Sequence, residues 1–160
     1  MPMSENKEFN IFLSRLEKLS DEHRQEAALK RHESGNRTAR ENLKHLIDED
    51  SFIEFGAFAV AAQRSRKEYD ALQVETSADG VITGFCEINS NEIGKENSHA
   101  VAIIYDYSVL AGTQGYFHHH KLDRIIDKAK KYSLPVVIYT EGGGGSCLLY
   151  TSDAADERNS

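Results

Sequence analysis

The segment from His99 to Gly145 constrains this chain more than any other part of it. His99-Ala100-Val101-Ala102-Ile103-Ile104-Tyr105-Asp106 is an apolar, β-branched run with the pattern of a buried strand. AGTQGYF then breaks the strand with two glycines. From about Phe117 to Tyr132, Leu122, Ile125, Ile126 and Ala129 recur at the spacing of one helical face. Leu134-Pro135 stops that helix, and Val136-Val137-Ile138-Tyr139-Thr140 predicts a short, buried strand of the parallel type. It ends in Glu141-Gly142-Gly143-Gly144-Gly145. Strand, glycine turn, helix, strand, glycine turn is an α/β arrangement.

Upstream, Asp79 to Ile88 reads as another buried strand, joined to the His99 strand by the turn-rich NSNEIGKENS. FIEFGAFAV reads as a strand with a bend at Gly56, and QRSRKEYDALQ as a loop or surface helix. Phe9, Phe12, Leu13, Leu16 and Leu19 share a helical face. Ser20 to Gly35 holds little core material and reads as an exposed continuation. A short helix over 37–47 presents Ala39, Leu43, Leu46 and Ile47 on one side. Docking or subunit packing is the plain reading of these N-terminal helices, residues 1–34 forming a helical segment of their own.

The chain has 160 residues, 39% hydrophobic and 28% charged, which suits a soluble globular protein. It has no apolar run of about 18 residues, so no membrane partner is expected. MPMSENKEFN lacks the apolar core of a secretory signal, which points to the cytoplasm. A net charge of −7 argues against nucleic acid as the main partner. Cys86 and Cys147 form no C-x-x-C, and neither zinc nor a disulfide framework is suggested.

Residues 147–160 stand apart. Cys147 to Asp156 reads as the in-frame translation of a transposase-based sequencing-library adapter, codon by codon, with Glu157 beginning on matching bases. The stretch is set aside as a non-native tail. Removing its three acidic residues and one basic residue takes the net charge from −7 to −5 and leaves Cys86 alone.

A glycine turn at a strand's C-terminal end lets backbone N–H groups approach a ligand with no Cβ in the way. Such amides suit a thioester oxygen that becomes an enolate oxyanion. A flexible linker of the GGGGS kind is equally compatible with the composition. The pattern is not G-x-x-x-x-G-K-[ST], which disfavours a nucleotide phosphate loop. His118-His119-His120 cannot face one point on a helix, and metal binding is not expected. One histidine is expected to face the site, the others to cap the helix or meet solvent. Cys86 reads as core rather than nucleophile. Asp106 and Tyr107 are candidate pocket-wall residues.

Taken together, ARENLKHLIDEDSFIEFGAFA, ADGVITGFCEIN and AIIYDYSVLAGTQGYFHHHKLDRIIDKAKKYSLPVVIYTEGGGG closely resemble the N-terminal half of biotin-dependent acyl-CoA carboxyltransferases, the β-type subunits of acetyl- and propionyl-CoA carboxylases. AGTQGYFHHHK resembles the family's G-G-S-x-G-x-x-H-x-x-K segment at Gly112, Thr113, Gly115, His118 and Lys121, with Ala111 where the family has its first glycine. TEGGGG resembles the D-S-G-G-A-R turn, with Glu141 in the acidic position and Ser146 where the family has arginine.

The resemblance implies a crotonase-like ββα superhelix, present here in part over residues 35–146 and preceded by the N-terminal helices. It implies Gly143 and Gly144 as the catalytic oxyanion glycines, within one residue of register. Gly112, Thr113, Gly115, His118, Glu141, Gly142 and Gly145 would bind substrate, and no metal is implied. Biotin, carboxylated on a separate carrier, would be the cofactor. Acyl-CoA, the biotin carboxyl carrier and the biotin carboxylase component would be the partners, within a homo-oligomer. Carboxyl would pass to the α-carbon of an acetyl- or propionyl-type thioester, with biotin entering from the other half of a partner subunit. The chain is then expected to be part of a larger enzyme and inactive by itself. A crotonase-fold hydratase or isomerase, or a non-enzymatic assembly module, are the alternative readings.

Overall fold

The computed structural model describes residues 6–142 and Gly144. At its centre is a four-stranded sheet in the order β1 (Ile53–Phe55), β2 (Val81–Glu87), β3 (His99–Tyr105), β4 (Val136–Tyr139). β1–β2 and β2–β3 pair antiparallel; β3–β4 pairs parallel, with Val101 opposite Val136. Alternation along β2 and β3 sends side chains to two faces, and both faces are covered. Ile82, Cys86, Ala100, Ala102 and Ile104 pack against Ala39 and Leu43 of helix α3 (Ala39–Leu46). Val81, Val101 and Ile103 pack against Ile125 and Ala129 of helix α6 (Tyr116–Tyr132). Coverage on both sides explains why β3 reads as a continuous apolar run.

Helix α3 starts at a capping box. The Thr38 hydroxyl accepts from the Glu41 N–H (3.0 Å), and the Glu41 carboxylate accepts from the Thr38 N–H (2.8 Å). Between β1 and β2 lies α4 (Tyr69–Glu75), which the sequence left open between loop and surface helix and which buries Leu72 completely. The β2–β3 connection holds the short helix α5 (Ser90–Ile93). Gly84 has no room for a side chain, since a Cβ there would lie 2.5 Å from the Phe52 ring.

Three expectations need correction. The strand predicted in FIEFGAFAV spans three residues and ends at Gly56, whose φ of +70° makes the anticipated bend. β4 is parallel as expected but forms a sheet edge: Val136, Ile138 and Tyr139 are exposed, because no further strand lies beside it among the described residues. Ile126 is exposed too, since the inward stripe of α6 runs through His118, Lys121, Ile125 and Ala129.

The N-terminal elements differ from their sequence reading in how they attach. Helix α1 (Lys7–Glu17), capped by the Asn6 side chain, buries none of its residues; Phe12 meets the Phe58 ring edge-on at 5.6 Å. Helix α2 (Gln25–Glu33) follows a 3-10 turn at Asp21–His23 and has almost no apolar face. It is nonetheless anchored, because Arg24 and Arg31 are both buried. No helix among the described residues is long and apolar enough to cross a membrane.

Candidate active site

Parallel pairing of β3 and β4 brings their C-terminal ends side by side, and each end leads into a glycine turn. The two turns touch through their backbones. A Cβ on Gly112 would overlap the Glu141 carbonyl oxygen and lie 2.7 Å from the Gly142 Cα; one on Gly142 would lie 2.7 Å from the Gly112 Cα. Glycine is therefore required at both positions by close approach. The Gln114 N–H donates to the Gly144 carbonyl (3.0 Å), a second link between the turns. The Gln114 side chain donates to the Tyr105 hydroxyl (3.0 Å).

The first turn is strained. Leu110, Ala111 and Gly112 lie consecutively in the left-handed region, with φ of 49°, 54° and 68°. The loop entering β2 repeats this: Ala78, Asp79 and Gly80 have φ of 54°, 48° and 72°. Left-handed backbone costs a non-glycine residue about 1–2 kcal/mol. The two triplets are stacked, since the Asp106 N–H donates to the Gly80 carbonyl (2.9 Å) and Gly80 packs on Val109.

Beneath them lies a buried polar cluster. The Asp79 carboxylate accepts from the His118 N–H (2.8 Å) and so caps the start of α6. Gly115 makes room for it; a Cβ there would lie 2.8 Å from Asp79 Oδ1. Lys121 Nζ donates to the carbonyls of Ala78 (2.8 Å) and Val81. Burial raises the Asp79 pKa against the opposing backbone hydrogen bond from His118 and the Lys121 charge, and lowers that of Lys121 to about 8. His118 is fully buried, with its ring edge-on to Tyr105 at 4.6 Å. Its Nδ1 sits 3.3 Å from the Asp79 carbonyl, which places a proton there. Nε2 is then a lone pair, buried and without a hydrogen-bond partner among the described residues. Burial lowers the imidazole to about 4, so it is neutral at physiological pH.

On the outer side of the turns, helix α2 and the residue just before it supply two guanidinium groups. Arg31 Nη2 donates to both carboxylate oxygens of Glu141 (2.7 Å each), and its Nε to the Arg37 carbonyl (3.1 Å). Arg24 pairs with buried Asp106 (2.7 Å) and donates to the Ser108 hydroxyl (2.8 Å). A cavity of about 600 Å³ opens here, lined among others by Arg24, Lys30, Arg31, Ser34, Tyr107 and Ser108.

The structure thus brings Gly112, Glu141, Gly142 and Gly144 together, with half-buried Thr113 in the first turn and Gly115 at the start of α6. His118 lies below this surface, enclosed by Asp79 and Tyr105. Gly143 and Gly145, and the tail 147–160, lie outside the described residues. Asp106 and Tyr107 follow β3; Tyr107 lines the cavity and Asp106 is held by Arg24. Cys86 packs in the core, where burial pushes its thiol up to about 11. Sequence reasoning missed Arg24, Arg31 and Asp79 and gave Lys121 no role. For Lys121 a signal existed, since positions 118, 121, 125 and 129 share one helical face.

Comparison with known proteins bears out the family resemblance read from the sequence. The carboxyl transferase domain family matches residues 30–151. The propionyl-CoA carboxylase beta chain of Cereibacter sphaeroides is 32% identical over 114 residues, 71% of this chain and 20% of that protein. The methylmalonyl-CoA decarboxylase subunit alpha of Propionigenium modestum is 30% identical over 115 residues, 72% of this chain and 20% of that protein. Among solved structures, a single-chain, multi-domain long-chain acyl-CoA carboxylase superposes with a TM-score of 0.85 at 44% identity, covering 89% of this chain and 14% of that one. The chain spans about one fifth of the length of these two curated relatives. Its mixed α/β sheet and helices are part of the crotonase-like fold of the carboxyltransferases. The chain belongs to the carboxyl transferase domain family.

Proposed function

We propose that the complete protein transfers a carboxyl group to the α-carbon of an acyl-CoA of the acetyl or propionyl type. The observation that carries this reading is the backbone contact between the two glycine turns, Gly112 against Glu141 and Gly142. Glycine turns at two adjoining strand ends let backbone N–H groups approach an oxygen that gains charge during reaction with no Cβ in the way. In this reading Gly143 and Gly144 direct N–H groups at the thioester oxygen, stabilising the enolate formed when the α-proton leaves. Gly112, Thr113, Gly115 and Gly142 shape the floor beneath the thioester, and His118 supports it from below. The cavity beside Arg31 and Lys30 receives the polar part of CoA. Biotin on a carrier protein supplies the carboxyl group from the other half of a partner subunit, and none of the described residues is assigned to it. A homo-oligomer, a biotin carboxylase component and a cytoplasmic location accompany this reading. Residues 35–146 are then the family's domain in part, 1–34 its helical lead-in and 147–160 a non-native tail.

A hydratase or isomerase needs a carboxylate free to move protons at the turns. Among the described residues the acids nearest the turns are engaged: Glu141 by Arg31, Asp106 by Arg24, Asp79 by the start of α6. That favours carboxyl transfer. The test supplies the complete protein with carboxylated biotin carrier and acetyl- or propionyl-CoA and follows labelled carboxyl into the thioester. Incorporation that falls at least tenfold in Gly143→Val and Gly144→Val supports the reading. Acyl-CoA binding unchanged in both variants overturns the oxyanion assignment, and hydration of an enoyl-CoA without incorporation overturns the activity.

A further inference from the structure

The buried Lys121 is not explained by core packing. Its alkyl stem lies under Gly56, where an added Cβ would sit 3.0 Å from three of its carbons. Its ammonium ends on two carbonyls at either end of the loop entering β2, those of Ala78 and of Val81, the first residue of the strand. The left-handed triplet Ala78–Gly80 lies here, with only two local backbone hydrogen bonds at it, from the Asp79 N–H to the Thr76 carbonyl (3.0 Å) and from the Val81 N–H to the Ala78 carbonyl. From that triplet two connections leave toward the glycine site. Asp79 caps α6 at His118 and lies against Gly115. Gly80 accepts from the Asp106 N–H and rests on Val109, the residue that precedes the second triplet and accepts from the Gly112 N–H (2.9 Å).

We propose that Lys121 is a positioning residue for carboxyl transfer: its ammonium pins the Ala78–Gly80 triplet, and that triplet fixes both the Leu110–Gly112 turn and the start of helix α6, so a charge that never touches substrate holds the glycine site in shape. The proposal rests on the carboxyltransferase reading. Burial opposes the charge, lowering Lys121 to about 8, so an ammonium kept here at neutral pH works against folding. A methionine of similar length would fill the same space at no such cost. What it could not do is hold two carbonyls that flank a strained turn.

The test compares wild type with Lys121→Met in the complete protein, by amide hydrogen exchange and by steady-state kinetics. The expected exchange result is acceleration of about tenfold or more at Gly112, Thr113 and His118, with the ladder amides of β2 and β3 unchanged. The expected kinetic result is a kcat lowered about tenfold or more, with the acyl-CoA KM within about threefold. Unchanged exchange at those three amides overturns the pin. Accelerated exchange with wild-type kcat overturns its service to the chemistry, and so does a loss of kcat matched by general acceleration across the sheet. If the wild type itself transfers no carboxyl, the carboxyltransferase reading fails and the catalytic half of the proposal with it, while exchange still decides the pin. Should Lys121→Met not fold, Gly80→Ala interrogates the same link, since its Cβ would press to 3.3 Å from Val109 Cγ1. It should accelerate Gly112 and Thr113 exchange and lower kcat, and adding Val109→Ala should restore part of both; a wild-type kcat in Gly80→Ala overturns the proposal.

Discussion

Replacing Gly112 by alanine should separate the two glycine turns, and its cost can be divided into two parts. The first is conformational. Gly112 has φ +68°, where a Cβ costs about 1–2 kcal/mol. The second is steric. The new Cβ would overlap the Glu141 carbonyl and stand 2.7 Å from the Gly142 Cα, and both are backbone atoms that cannot rotate away. Restoring ordinary contact requires the turns to part by more than an ångström, and overpacking of this kind costs about 1–3 kcal/mol. The sum is about 2–5 kcal/mol, or a Tm lowered by roughly 4–20 °C for a chain of this size. Gly35→Ala is the matched control: φ is +72° there and nothing lies within 4 Å of the added carbon. It isolates the conformational part, about 1–2 kcal/mol. Thermal and urea unfolding followed by circular dichroism measure both variants, and hydrogen exchange at the Gln114 amide reports whether its bond to Gly144 survives. Equal losses in Gly35→Ala and Gly112→Ala, with Gln114 exchange unaltered, would refute the contact between the turns.

Breaking the Arg24–Asp106 pair from one side, with Arg24→Met, should cost about 3–5 kcal/mol in urea unfolding, because Asp106 is left charged and buried. Adding Asp106→Leu should recover much of that loss; no recovery would mean that Arg24 acts through packing alone. Thr38→Ala should cost about 1–2 kcal/mol by removing the cap on α3 and the hydroxyl that meets Asp21 (2.5 Å), and Thr38→Ser should restore most of it. His118 titrates at about 4 in the folded chain against 6.5 unfolded, so between those values the unfolded chain binds the extra proton. Its contribution is therefore complete above pH 6.5 and falls by roughly 2–3 kcal/mol as the pH drops to 4. A proton NMR titration of the imidazole with a midpoint near 6.5 would falsify this.

The sheet and the helix that packs on it were legible because they follow the rule that burial leaves a period in the sequence. β3 is buried on both faces and shows an unbroken apolar run; α3 shows Ala39 and Leu43 one turn apart and carries its own start signal at Thr38. β4 was misread for the same reason. Val136 and Ile138 have the composition of a buried strand, but exposure depends on what lies beside the strand, which composition does not encode. The glycine turns were legible as turns, whereas their mutual contact was not. That contact comes from parallel pairing between β3 and β4, a long-range property of the sheet.

What escaped the sequence shares one physical cause: polar groups doing the work expected of apolar ones. α2 shows no hydrophobic stripe, so periodicity assigns it to solvent, yet Arg24 and Arg31 hold it to the ends of β3 and β4 through Asp106 and Glu141. Such anchoring leaves no period of its own, because one long side chain reaches across 82 or 110 residues of sequence to a single partner. It also has a different sensitivity. An apolar face tolerates exchange of one aliphatic residue for another of similar volume, whereas a buried guanidinium tolerates neither loss of its partner nor replacement by a lysine that cannot span the same two acceptors. Since Arg31 grips the carboxylate that opens the second glycine turn, helix α2 is tied directly to the candidate site. Arg31→Lys should therefore disturb the Glu141 turn and leave the packing of Leu43 and Ile104 in the α3 face of the core intact, a distinction that methyl NMR shifts of those residues would register directly.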